Sequence, residues 1–101
     1  MMSMRTYAEN VLSAVKHANN ARTLNDVQQF AKKAMLQVET LSLRARMSSH
    51  VSLLNFVEEV HSHTRKAVHS NKIEDAKLHL TKALHAIRES IEAIGFEDED
   101  E

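Results

Sequence analysis

The stretch Thr23–Met47, TLNDVQQFAKKAMLQVETLSLRARM, decides the fold class. Stepping through it by threes and fours picks out Leu24, Val27, Ala31, Ala34, Val38, Leu41 and Ala45, with no polar residue among them. That period puts all seven side chains on one face of an α-helix and fits no strand. A stripe this apolar and this long has to be covered by other helices.

The rest of the composition agrees. The chain has no Pro and one Gly (Gly95), so it lacks the residues that punctuate β-turns and bulges. It is rich instead in Ala, Leu, Lys, Glu and Gln, all good helix formers. With four aromatic residues (Tyr7, Phe30, Phe56, Phe96) in 101, the core must be aliphatic and alanine-rich. A chain of 101 residues makes one domain with a modest core.

Working outward, helix 1 is expected over about Ser3 to His17 or Asn19, burying Met4, Tyr7, Val11, Ala14 and Ala18, with Leu12 and Val15 as shoulders. Asn19–Asn20 is its stop signal, since Asn tolerates the left-handed conformation. Thr23 caps helix 2, with Asp26 three residues on. Beyond Ala45 the stripe changes phase and continues through Ser49 to Leu53, Val57, Val60, Thr64 and Ala67. A four-residue insertion of this kind is either a loop or a stutter in one helix. The preferred reading is a break capped at Ser48–Ser49; the alternative makes residues 24–69 one long helix. Helix 3 then covers about Ser49 to His69, and Ser70 or Asn71 caps helix 4. Helix 4 carries Ile73, Ala76, Leu80, Ala83, Leu84, Ile87, Ile91 and Ile94, closed by Gly95 with Phe96 folding back. The fold expected is all-α: an antiparallel four-helix bundle over residues 1–96. The alternative is an elongated, oligomeric three-helix subunit.

Residues 97–101, EDEDE, read as a disordered acidic tail, because like charges repel and nothing apolar anchors them. The tail hides a basic body: residues 1–96 hold 13 basic and nine acidic side chains, a balance of +4 against −1 for the chain. Seven His make the body more basic as pH falls. The absence of Cys excludes disulfides, thiolate nucleophiles and Cys-based metal sites. No apolar run reaches the length of a membrane span, and MMSMRTYAENVL lacks a secretory h-region. A cytoplasmic location without membrane contact is therefore the expectation.

Residues 24–38 (LNDVQQFAKKAMLQV) and 73–87 (IEDAKLHLTKALHAI) align without gaps and share the Asp, the Lys-Ala pair and the apolar spacing. The later segment resembles the second helix of a tetratricopeptide repeat over about 15 residues. Helix 3 lacks the small and aromatic residues of that repeat's first arm and no array follows, so no function comes with the likeness.

Three sets of residues bear on chemistry. Glu58-Glu59-Val60-His61 has the Glu-x-x-His spacing of four-helix di-metal carboxylate sites, but only once, and Glu39, Glu89 and Glu92 do not complete the pattern. His63 and His79 would approach each other if helices 3 and 4 form a hairpin. His61, His63 and His79 are thus the weak metal candidates, and no metal or other cofactor is expected. Arg44-Ala-Arg-Met-Ser-Ser-His50 resembles the Arg-x(4–6)-His motif of the small helical ribonucleases called HEPN. There Arg stabilises phosphate charge and His moves protons. Only those two residues match, and they fall at a helix junction where that family has its motif on a late helix. With no phosphate-cradling loop either, the chain is expected not to be an enzyme.

Basic residues are spread around the bundle with few aromatic partners, which argues against nucleic acid. Tyr7, Arg22, Lys32 and Arg44 are the residues that would hold an anionic, nucleotide-like ligand between subunits. Finally, Leu36 and Leu43 lie seven residues apart on the reverse of helix 2, near Met47, and Leu54, Phe56 and Leu78 lie off their own stripes. A second apolar stripe marks an oligomer or partner surface, here Leu36, Leu43, Met47, Leu54 and Phe56. The expected function is that of a small interaction or regulatory protein acting through a homo-oligomer or protein partner. The alternative is capture of an anionic ligand or a metal at a subunit seam.

Overall fold

In a computed structural model that describes residues 3–95, the chain forms four helices, α1 (Met4–Asn19), α2 (Leu24–Met47), α3 (Val51–Val68) and α4 (Ile73–Ile94). Each packs on its neighbour in the chain, and α4 closes back onto α1, giving an antiparallel four-helix bundle 41 × 21 × 18 Å. The connections are three or four residues long, short enough to force each successive helix to reverse. Gln28 of α2 donates to the Ser70 carbonyl at 2.8 Å, tying the first turn of α2 to the α3–α4 connection at the same end.

Helix 2 buries what its spacing predicts: Val27, Ala31, Ala34, Val38, Leu41 and Ala45 are fully covered, and Leu24 is half-buried at the end of the stripe. Alanines recur at the core positions of every helix, including Ala8, Ala67, Ala83 and Ala86. Small side chains at these points let the backbones approach closely. Helix 1 departs from expectation. Ala8, Val11, Val15 and Ala18 are innermost, while Tyr7 and Ala14 are only half-buried, so the stripe is rotated toward the smaller residues. Two polar side chains in the core satisfy themselves. Thr64 donates to the Val60 carbonyl at 2.6 Å and Ser90 to the Ala86 carbonyl at 3.0 Å, the back-bonding open to a helical hydroxyl.

The four-residue insertion is a break, not a stutter, which excludes the long helix over residues 24–69. Ser49 N–H donates to the Arg46 carbonyl and His50 N–H to the Ala45 carbonyl, both at 3.1 Å. This is a Schellman closure, with Ser49 at the left-handed position (φ 55°) that usually takes Gly. Both serines are thereby spent on ending α2, and the cap of α3 falls to His50, whose Nδ1 accepts from Leu53 N–H at 3.3 Å. A Cβ in the left-handed region costs about 1–2 kcal/mol. Ser49→Gly is therefore expected to stabilise the fold by about 1 kcal/mol, read as a raised urea midpoint with unchanged slope.

Other termini also differ in detail. Thr23 caps α2 as expected, accepting from Asp26 N–H at 3.1 Å. Lys72, however, stands at the α4 cap without a side-chain bond, while the Ser70 hydroxyl reaches back to the Lys66 carbonyl at 2.7 Å. Asn20 and Gly95 close α1 and α4 in right-handed conformations, so neither helix end uses the left-handed freedom of its residue. Phe96 and the acidic run at 97–101 lie outside the described residues.

Candidate functional site

Three positions on α2, Leu36, Leu43 and Met47, are separated by seven and four residues and so project in one direction. That direction lies half a turn from the Val27-to-Ala45 stripe, so they point straight away from the core. They are 66%, 58% and 72% exposed. Between them sits Thr40, whose hydroxyl donates to the Leu36 carbonyl at 3.2 Å. With that bond made, the outward surface of Thr40 is its methyl group. Past the α2–α3 turn, Val51, the first residue of α3, is 70% exposed.

One flank of the ridge is a groove between α2 and α3, a hollow of about 440 Å³ with Leu43 and Val57 as its apolar wall. Its polar rim carries Glu39, Ser42 and Arg46 from α2, with Glu58, His61, Ser62 and Arg65 from α3. His61 Nε2 and Glu39 Oε1 face each other across it at 3.8 Å. The rim thus bears two carboxylates and two guanidiniums. An apolar strip runs beside a charge-balanced polar border.

Two members of the expected surface are elsewhere. Leu54 is half-buried against the core. Phe56, also half-buried, lines a hollow between α3 and α4 with His85, Arg88 and Glu89. Each leans into a seam with a neighbouring helix, where a four-helix bundle covers the shoulders of a stripe. Leu78 is 54% exposed on α4, apart from the ridge.

The proposed anion-binding set does not converge. Arg44 lies over the Tyr7 ring, 5.3 Å from its centroid, so these two do meet. Arg22 is in the α1–α2 turn, at the opposite end of α2 from Arg44. Lys32 precedes Arg44 by 12 residues, about 18 Å along the helix. A single small ligand cannot touch all four.

The histidines divide in the same way. His63 and His79 face each other across the α3–α4 seam, ring centroids 6.0 Å apart and planes 21° from parallel. Both Nδ1 atoms are buried with no hydrogen-bond partner. Burial, together with Lys66, His79 and Lys82, holds the His63 imidazole below its ordinary pKa of 6.5; Glu59 pulls the other way. His61, two residues from His63, faces α2 and Glu39 instead. Among the described residues no group of three or more His, Cys, Asp or Glu side chains is arranged to hold a metal ion. Arg44 and His50 of the ribonuclease-like spacing are also taken up locally, Arg44 on Tyr7 and His50 as the α3 cap.

No described helix is long and apolar enough to cross a membrane. Comparison with known protein families, with curated proteins and with solved structures finds no match.

Proposed function

We propose that the protein is a small non-enzymatic interaction module of the cytoplasm that works as a homo-oligomer assembled through the outer face of α2. One observation carries this reading: Leu36, Leu43 and Met47, each more than half exposed, form one line directly opposite the core. A helix in a monomeric bundle has no use for a second apolar face, and that face gains only when something covers it.

The magnitudes bound what the ridge can do. Fully burying a Leu or Met side chain returns about 1.5–3 kcal/mol, so these partly exposed ones return about 1–2 each. Association costs at least about 4 kcal/mol in lost freedom of motion. In a homodimer both copies contribute, so six anchors supply about 6–12 kcal/mol against that cost and leave a modest surplus. Reversible association in the micromolar range is the natural outcome.

Light scattering on the untagged chain tests the reading. An assembly larger than the 11.5 kDa chain is expected. Leu36→Asp combined with Leu43→Asp is expected to reduce it to that mass while leaving the helical circular dichroism intact. A clean monomer for the unaltered protein at high micromolar concentration rules the proposal out.

A further inference from the structure

The spacing of the ridge specifies the partner more closely. Leu36, Thr40, Leu43 and Met47 follow each other at steps of four, three and four residues, a pattern that reads the same in both directions. We infer, resting on the proposal above, that a second copy packs its own α2 antiparallel against this one. The two-fold axis then crosses the outer face level with the Leu41–Ser42 peptide bond. About that axis Leu36 of each copy meets Met47 of the other, and Leu43 meets the Thr40 methyl. This is the isologous contact of a closed dimer, in which one surface serves as its own complement.

Charge selects the same arrangement over its alternatives. In a parallel pairing each flank of α2 faces the opposite flank of the second copy, which sets Lys32 of one copy against Lys33 of the other on both sides of the seam. In the antiparallel pairing Arg46 of the second copy falls opposite residue 37, two residues or about 3 Å along the axis from Glu39. Both side chains line the same flank of the ridge, so they are within reach. Within one chain the two are seven residues apart, about 10 Å, and cannot pair. Glu58 and Arg65 on the same flank complete a border of two acidic and two basic groups, which meets its own image without net repulsion.

Exchanging the charges tests the register. The dissociation constant of the full chain is measured by sedimentation equilibrium for Glu39→Arg, Arg46→Glu and the double exchange, with circular dichroism confirming the fold. Each single exchange places like charges across the interface and is expected to weaken the dimer by about tenfold. The double exchange restores the cross-chain pairs and should return the constant to within about threefold of the original. Suppose the protein dimerises, and Leu36→Asp with Leu43→Asp dissociates it, yet the double exchange is as weak as the singles. The antiparallel register is then overturned while the use of the α2 face stands. If the unaltered chain is monomeric throughout, the register and the proposal it rests on fall together.

Discussion

Leu41→Ala is expected to destabilise the bundle by about 2–5 kcal/mol, whereas Leu43→Ala, two residues along the same helix, should change it by no more than about 0.5 kcal/mol. The chemistry of the two substitutions is identical; only the direction of the side chain differs. Leu41 is fully buried among the core residues, so its truncation removes apolar surface from the interior and leaves a void that neighbouring helices fill incompletely. The Leu43 side chain is more than half in water, and its removal leaves no cavity. The check is urea denaturation at low protein concentration, where linkage to association contributes little. At high concentration Leu43→Ala should instead reduce the assembled fraction, which Leu41→Ala does not do directly. Equal destabilisation by the two would mean that the outer face of α2 is part of a monomer core.

The contrast between these two leucines also shows which parts of the fold were legible in sequence. In α2 most apolar residues fall into two lines half a turn apart, with Phe30 and Met35 as half-buried shoulders of the inner one, so phase and orientation follow from spacing. Helix 1 carries Met4, Tyr7, Ala8, Val11, Leu12, Ala14, Val15 and Ala18, an arc too broad to show which part faces inward. Size decides it: the tight interior accepts Ala8 and Val15 and leaves Tyr7 at the edge, stacked under Arg44. The α2–α3 break was similarly half legible. The phase change marks its place, but Ser49 adopts a left-handed conformation without being Gly, so no residue type announces it. Once both serines close α2, the role of first cap passes to His50, a residue that helix-start preferences would not select.

The candidate site was legible to the extent that a single helix determines it. Leu36, Leu43 and Met47 are related through helical spacing only, and they are exposed together as expected. Leu54 and Phe56 depend on where the neighbouring helices lie, information that a stripe on α3 does not contain. Val51 is exposed as the first residue of α3, and that could be read only after the break was located. Tyr7 with Arg44, and His63 with His79, are contacts between helices that follow from the antiparallel order of the bundle. Residue type alone grouped Arg22 and Lys32 with Arg44, and distance along α2 separates them.

Acid should weaken the α3–α4 seam through the paired imidazoles. In the folded protein the His63 pKa lies below its ordinary 6.5, chiefly because burial disfavours the charged ring, with Lys66, His79 and Lys82 adding to the effect. Between the lowered value and 6.5 the unfolded chain therefore binds more protons than the folded one, and stability falls as pH falls. The contribution is complete above about pH 6.5 and is lost progressively below it. Geometry supplies the rest of the cost. A protonated ring carries N–H donors on both nitrogens, and the buried Nδ1 atoms of His63 and His79 have no acceptor. The neighbouring Lys66 and Lys82 and the His79 ring, 6.0 Å away, add to the cost of a charge on His63. His63→Phe keeps an aromatic ring at the seam and removes both its charge and its donor. Thermal unfolding of the two proteins between pH 7 and 5 should show the original losing stability more steeply than the variant, the two curves running closer to parallel above pH 7. Equal pH dependence in both would show that the seam accommodates a protonated His63, by rotation of the ring toward solvent or toward Glu59, and that acid sensitivity of the fold arises elsewhere.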